Sequence, residues 1–384
     1  MTVRSRKWIV AGTVACVAAA LPFGAKIYAQ NQAAAGPKIE MSDKHFKKVQ
    51  VLTNIPVDEF MGTMGLFSAA LSYCCGDCHV GAGTDNPDWA SDKNPRKVAA
   101  RRMAAMVKEI NRANFGGGNQ VTCWTCHRGS PNPAVTPSID TIYGEPLQFP
   151  PDIILAAKPG QGALTLDQIF DKYVQALGGA AATGSLTSYT ADGTSHLFGE
   201  TREDPMEVYA KAPDNLATVV HQRGGDLART YDGRDAWVML PLTVVDKYPL
   251  TAGAKEGGKL DAELAFPWRI KSFYQNWKVG IPTTIDGKDV QVVQGSVPGL
   301  IATFYFDKTT GLMTRMVRMA NSASGRVPTQ IDYSDYRDVA GVKMPFKWTY
   351  GWVSGREEYA VKSYSANAAV DAAKFREPQQ RTKL

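Results

Sequence analysis

Two five-residue stretches, Cys75-Gly76-Asp77-Cys78-His79 and Cys123-Trp124-Thr125-Cys126-His127, constrain this chain more than any other feature. Both read C-x-x-C-H, the attachment signature of c-type haem. Two thiols at this spacing reach the two vinyl groups of one porphyrin and form thioethers. The histidine that follows then sits beneath the iron as its proximal ligand. The chain has only six cysteines and five histidines, so two complete copies are hard to assign to chance. The pattern calls for two covalently bound haem c groups on Cys75, Cys78, Cys123 and Cys126, with His79 and His127 on the irons. A four-cysteine zinc site is the rival, because C-x-x-C pairs also bind zinc. It leaves the histidine after each pair unexplained, and the 44 residues between the pairs exceed the ~15–20 of a zinc ribbon. A thioredoxin-like role needs a C-x-x-C beside a βαβ pattern, and none is visible.

At 384 residues the chain has room for two or three domains, and 44% hydrophobic with 21% charged residues are globular values. The formal charge of +6 falls to +2 once Arg4, Arg6, Lys7 and Lys26 are set aside. Charge therefore gives no support to a nucleic-acid partner. Those four lie within residues 1–29, which read as a signal peptide: a basic start, an apolar run from Trp8 to Phe23, and a cleavage site at Ile27-Tyr28-Ala29. A retained anchor is the alternative and leaves membrane-surface association open. The run is short for a spanning helix and carries Pro22 and Gly24. A lipoprotein site at Cys16 has a poor lead-in. Haem c is attached outside the cytoplasm, so motif and signal agree on a periplasmic or extracytoplasmic protein. Cys74 is left over, expected as a small buried side chain.

Residues 30–48 form a polar lead-in. A helix follows Pro56 and runs to about Leu71, with Phe60, Met64, Phe67 and Leu71 on one face. Gly62 and Gly65 weaken it, so a haem or a neighbouring helix must pack closely there. After a loop, Pro95 opens a second helix ending near Asn114, with Ala99, Met103, Met106, Ile110 and Ala113 on its inner face. The segment is a twofold repeat of Pro-led helix, turn and C-x-x-C-H. Each iron needs a sixth ligand, and no further histidine lies in either repeat. Met61 and Met64 on the first helix, and Met103 and Met106 on the second, are the candidates; ordinary core filling is their other use.

Residues 49–133 resemble the haem-binding repeats of the photosynthetic reaction-centre cytochrome c subunit. The resemblance is carried by Met64-Gly65-Leu66-Phe67-Ser68-Ala69-Ala70-Leu71, by Ala100-Arg101-Arg102-Met103 before Ile110-Asn111, and by Val121 through Gly129. In that family an axial methionine lies on the helix before each haem motif, once within an Arg-Arg-Met triplet. The resemblance thus implies Met64 and Met103 as distal ligands, with Met61 and Met106 as alternatives. It departs in haem number: the family's subunit carries four, and this chain has motifs for two.

Residues 134–163 are Pro-rich and read as an extended linker. An amphipathic helix spans 164–177 before Gly178-Gly179; then the period changes to two. Eleven candidate strands lie between 186 and 364, with turns expected at Asp192-Gly193, Asp232-Gly233, Asp286-Gly287 and Thr310-Gly311. One helix is expected from Lys259 to about Trp277 despite Pro267. The expected fold is an α-helical dihaem cytochrome c domain followed by an antiparallel β-rich, half-barrel-like α+β domain over 164–384. The β pattern is similar to that of bacterial lipoprotein-carrier half-barrels, whose concave face holds acyl chains. If the helix fills the concavity, the β half is a docking scaffold; if not, a cleft remains for a lipid or quinone. His196 and His221 lie on strands without a nucleophile or phosphate motif. The expected function is electron transfer with other redox proteins or a membrane electron-transfer complex. The alternatives are a haem peroxidase-like enzyme, which needs one iron to lack its methionine, and a haem-based sensor or binding protein.

Overall fold

The two-residue period from residue 186 onward builds thirteen strands into one antiparallel sheet, in the order β6-β5-β4-β3-β2-β1-β13-β12-β11-β10-β9-β8-β7. The strands are β1 (Ser188–Leu197), β2 (Glu203–Lys211), β3 (Asn215–Gln222), β4 (Gly225–Asp232), β5 (Ala236–Met239), β6 (Lys247–Pro249), β7 (Asn276–Ile285), β8 (Lys288–Val297), β9 (Leu300–Asp307), β10 (Met313–Ser322), β11 (Gly325–Val339), β12 (Val342–Trp352) and β13 (Gly355–Ala366). The computed structural model describes residues 36–133, 135–136, 151–158, 162–241 and 243–380; the expected signal peptide lies outside them. The sheet is a meander whose first and last strands meet, β1 against β13, while β6 and β7 remain as edges. Edges invite pairing with other chains, and both are blunted here. β6 is three residues long and ends in Pro249. β7 carries Pro282 at a register shift between Gly280 and Thr283. Residues 151–158 lie along β7, with Ala157 N–H on Val279 O at 3.0 Å and Ile281 N–H on Leu155 O at 2.9 Å.

Asp286-Gly287 forms the β7–β8 turn with positive φ at both residues, as a tight hairpin of right-handed twist requires. Asp192-Gly193, expected as a turn, instead lies inside β1 at a shift of register against β13. A Cβ on Gly193 would come within 2.1 Å of Ala360 O, so the glycine lets two backbones approach rather than reversing the chain.

The described helices are α1 (Ser42–His45), α2 (Val57–Leu71), α3 (Cys75–Cys78), α4 (Pro95–Asn114), α5 (Cys123–His127), α6 (Leu166–Ala176), α7 (Gly179–Ser185) and α8 (Ala252–Glu263). The helix expected over 259–277 is corrected. α8 begins earlier and ends at Glu263, and Pro267 opens a separate 3₁₀ turn, Pro267–Ser272. Proline lacks the N–H a continuing helix needs, but is suited to the first turn of a new one. Residues beyond it form β7, which is not among the strands read from the sequence.

Two apolar clusters cover one face of the sheet. One joins Ile169, Phe170 and Tyr173 of α6, and Leu177 just after it, to Leu260 of α8 and to Phe304, Phe306 and Met316 of the sheet. The other gathers Tyr189, Met206, Val208, Phe266, Met344 and Tyr359.

Residues Pro37–Leu384 group as one compact unit. Within it α2 sits directly on the sheet. A Cβ on Gly65 would meet Val353 Cγ2 at 2.6 Å, and one on Gly62 would meet Val327 Cγ2 at 3.5 Å. The glycine face is therefore met closely by Val353 of the β12–β13 turn and in ordinary contact by Val327 of β11. Asp58, buried in the first turn of α2, accepts hydrogen bonds from Thr251 N–H at 2.6 Å and Thr251 Oγ1 at 2.8 Å. Its carboxylate thus lies at the N-terminus of α8, where the helix dipole favours negative charge. Burial nevertheless raises the Asp58 carboxyl above its ordinary range. The folded state then binds this proton more tightly than the unfolded chain. The Asp58 contribution to stability is accordingly greatest at low pH and declines as pH rises from about the unfolded value. Asp58→Asn, a neutral isostere keeping one acceptor, should unfold in urea near wild type at pH 7. Asp58→Ala, which strands two Thr251 donors, should lose about 1–3 kcal/mol. Equal losses in both variants would contradict this account.

Candidate haem-binding site

Each C-x-x-C-H occupies a short capped helix that follows a long one. α2 ends at Ser72, which takes a left-handed C-cap. Cys74 is then the N-cap of α3: its carbonyl accepts the Asp77 N–H at 3.1 Å, and Asp77 Oδ2 accepts Cys74 N–H at 2.9 Å. Thr122 and Thr125 form the same reciprocal box at the start of α5. Cys74 therefore stands where Thr122 stands in the second repeat. It is exposed, which corrects the expectation of a buried side chain. That hydrogen bond from Cys74 also holds the Asp77 carboxyl below its usual range.

α4 clamps both motifs. At its start, Asn94 caps the helix through Arg96 N–H at 3.0 Å and donates Nδ2–H to Asp77 O at 2.9 Å. Arg96 pairs with Asp77 Oδ1 at 3.0 Å and lies over the Tyr73 ring. At its end, buried Asn111 brackets Val121, accepting its N–H at 2.9 Å and donating to its carbonyl at 2.7 Å. The β10–β11 hairpin supports the second motif: Asn119 Nδ2 donates to Ser322 O at 3.0 Å, and a Cβ on Gly325 would meet Thr122 Cγ2 at 2.9 Å. Glu59 of α2 accepts Ala323 N–H from the same hairpin at 3.1 Å.

The histidines carry the most direct indication of ligation. His79 Nδ1 lies 3.3 Å from Trp89 O, and His127 Nδ1 lies 2.9 Å from Ser130 O. A carbonyl can only accept, so Nδ1 carries the proton in both rings and Nε2 presents a lone pair. Neither Nε2 has a hydrogen-bond partner among the described residues. This is the arrangement of a metal-ligating imidazole, oriented by its second nitrogen. Burial, reinforced by nearby Lys97 and Arg101, lowers the His79 pKa and keeps the ring neutral. Lys97 Nζ also donates to Trp89 O at 2.7 Å and to Ser91 O at 2.9 Å, fastening the loop that orients His79. The other three histidines are used differently: His45 faces Glu40, His196 faces Glu200 O through Nε2, and His221 lies between Asp226 and Glu207.

The five described cysteines are free, and burial pushes the Cys78 and Cys123 thiols up. Among the described residues no three His, Cys, Asp or Glu side chains gather as a group that could hold a metal ion. Met61 and Met64 are half-buried on α2, whereas Met103 and Met106 on α4 remain 43% and 45% exposed. Trp124 and Phe115 are exposed as well. The donors suit haem c: paired thiols, an oriented imidazole, and an apolar helix face with methionines. Among the described residues no helix is long and apolar enough to cross a membrane.

Sequence reasoning missed Asn94 and the two carbonyls, and named Asn111 only as part of the resemblance, without its bracketing role. The Asn94-Pro95 dipeptide is a helix-start signal that could have pointed to the first; nothing local marks the others.

Residues 18–141 match the family of photosynthetic reaction centre cytochrome C subunits. The resemblance read from the haem repeats is thus found independently. The subunit of Thermochromatium tepidum is 38% identical over 103 residues, covering 26% of this chain and 23% of that protein. That of Rubrivivax gelatinosus is 34% identical over 102 residues, 26% and 25% of the two chains. Cytochrome c-554 of Chloroflexus aurantiacus is 36% identical over 91 residues, 22% and 20% of the two chains. The chain thus spans about a quarter of the length of these curated relatives. Among solved structures, an outer membrane lipoprotein-sorting protein domain from Vibrio parahaemolyticus aligns at TM-score 0.36 and 13% identity, covering 49% of this chain and 89% of that one. A LolA superfamily protein from Nitrosomonas europaea aligns at TM-score 0.34 and 15% identity, covering 56% and 99%.

Proposed function

We propose that this chain is an exported dihaem c-type cytochrome that passes electrons between redox partners. The observation that carries the reading is the pair of C-x-x-C-H histidines, each fixed through Nδ1 on a backbone carbonyl and with no partner on Nε2 among the described residues. Cys75 and Cys78 with His79, and Cys123 and Cys126 with His127, would hold the two groups. Met64 and Met103 would supply the sixth ligands, with Met61 and Met106 as the alternatives on the same helices. Haem c, when bound, supplies a one-electron iron couple whose potential a methionine ligand raises. The protein's own part is to anchor through thiols, to orient the two imidazoles through Nδ1, and to shield the site with apolar side chains. The division into a haem-carrying domain (49–133), a Pro-rich linker (134–163) and a β-rich binding or docking domain (164–384) belongs to the same proposal. So do the extracytoplasmic location and a redox protein or membrane electron-transfer complex as partner.

The test is a redox titration of the purified protein beside Met64→Ala and Met103→Ala. Two one-electron components are expected in the wild type. Each variant should lower one midpoint potential and remove one sulfur-to-iron band in the red. Wild-type behaviour in both variants would transfer the ligand role to Met61 and Met106. A wild-type iron that binds peroxide or cyanide readily would instead favour a peroxidase-like enzyme.

A further inference from the structure

The two apolar clusters do not close completely on each other. Between them lies a cavity of about 120 Å³, bordered by Tyr173 and Ile331 of the first cluster and by Tyr189 and Met344 of the second, with Tyr333 and Trp348 between. An engineered apolar cavity of about 150 Å³ takes one benzene ring; this space is somewhat smaller but opens to solvent on one side, so it admits a single six-membered ring whose substituents extend toward the opening.

The tyrosines divide into two groups. Four bordering hydroxyls are committed: Tyr336 donates to Met313 O at 2.8 Å, Tyr364 to Pro345 O at 2.7 Å, Tyr350 to Asp261 at 3.2 Å and Tyr359 to Glu357 at 2.5 Å. The hydroxyls of Tyr173, Tyr189 and Tyr333 have no hydrogen-bond partner among the described residues, and that of Tyr173 is fully buried. A buried unpaired donor is costly, so the fully buried Tyr173 hydroxyl calls for an acceptor, and Tyr189 and Tyr333 add two further hydroxyls without a partner among the described residues around the same space. Arg229 and Arg318 in this region are balanced by Glu357 at 3.3 Å and Asp261 at 2.8 Å. Burial also drives the Tyr173 and Tyr333 hydroxyls well above their ordinary range, so the surroundings disfavour charge. Trp348 and Tyr359 stack at 5.0 Å and 13°, giving the cavity a flat aromatic wall.

We infer that this cavity binds a neutral single-ring molecule carrying carbonyl acceptors, the ring of a quinone, held by the hydroxyls of Tyr173, Tyr189 and Tyr333. The ring lies against aromatic faces, which favour offset stacking of flat π-systems. The carbonyl oxygens take the otherwise unused phenolic protons. The site stands on the β half alone and is independent of the haem reading.

Isothermal titration calorimetry of the oxidised full-length protein with duroquinone tests it, with oleate as the acyl-chain control. One duroquinone per chain is expected. Tyr173→Phe and Tyr333→Phe keep the rings and remove one donor each, and each should weaken binding about two- to tenfold. Their unchanged urea midpoints would separate lost binding from lost folding. No duroquinone binding by the wild type, affinities unmoved in both variants, or oleate binding more tightly than duroquinone would each overturn the inference.

Discussion

Glu357→Ala is expected to lose about 3–5 kcal/mol of stability, the cost of leaving a buried charge without its partner. Glu357 on β13 is completely buried. It accepts from Ser195 Oγ at 3.2 Å, Arg229 Nη1 at 3.3 Å and Tyr359 Oη at 2.5 Å, and so joins β1, β4 and β13 through one carboxylate. Arg229 also lies over Tyr350 and Trp352 of β12, 4.5 and 5.3 Å from the ring centroids. Removing the carboxylate strands the guanidinium and two hydroxyl donors together. The double variant Glu357→Leu with Arg229→Met should recover a large part of the loss, since neither charge then remains buried. Urea midpoints at unchanged slope measure both. A Glu357→Ala variant within about 1 kcal/mol of wild type would show that this pair is solvated and that the sheet is held elsewhere.

The second large effect is expected at the haem motifs. Replacing Cys123 and Cys126 together by Ser should leave the protein with one covalent haem, the one at Cys75 and Cys78. The sheet should persist, because its two clusters contain no residue of α5. The Asn111 bracket on Val121 does not depend on either thiol and should keep the second motif in place. Absorbance at the haem band per chain should therefore halve while the urea midpoint of the β half changes little. Complete loss of haem would mean that the two repeats are loaded as one cooperative unit.

The sequence carried the chemistry of this site better than its mechanical support. C-x-x-C-H is local, and its five residues are enough to point to haem c, the cofactor the family match also implies. α4 was legible to the residue, because Pro95 opens it and a glycine run follows it. Eleven of the strands announced themselves through alternation and turn glycines. What failed were features whose cause lies far away in the chain. Gly62 and Gly65 signalled a close approach, but Val327 and Val353 are more than 250 residues distant, and nothing local names them. Gly193 read as a turn because its partner, Ala360 O, comes from the last strand of the sheet. Asp58 and Thr251 meet across 193 residues. Cys74 read as a spare apolar side chain, because an N-cap role emerges only once α3 is seen as a helix.

The central claim, two covalent haem c groups held by two C-x-x-C-H motifs, meets its most direct test in one measurement. Intact-mass spectrometry of the purified, exported protein, with a pyridine haemochrome assay on the same sample, gives the number of haems per chain. The account predicts two, lost in equal steps when the cysteine pairs are replaced one after the other. An unmodified polypeptide mass, or one carrying zinc instead of haem, would contradict it.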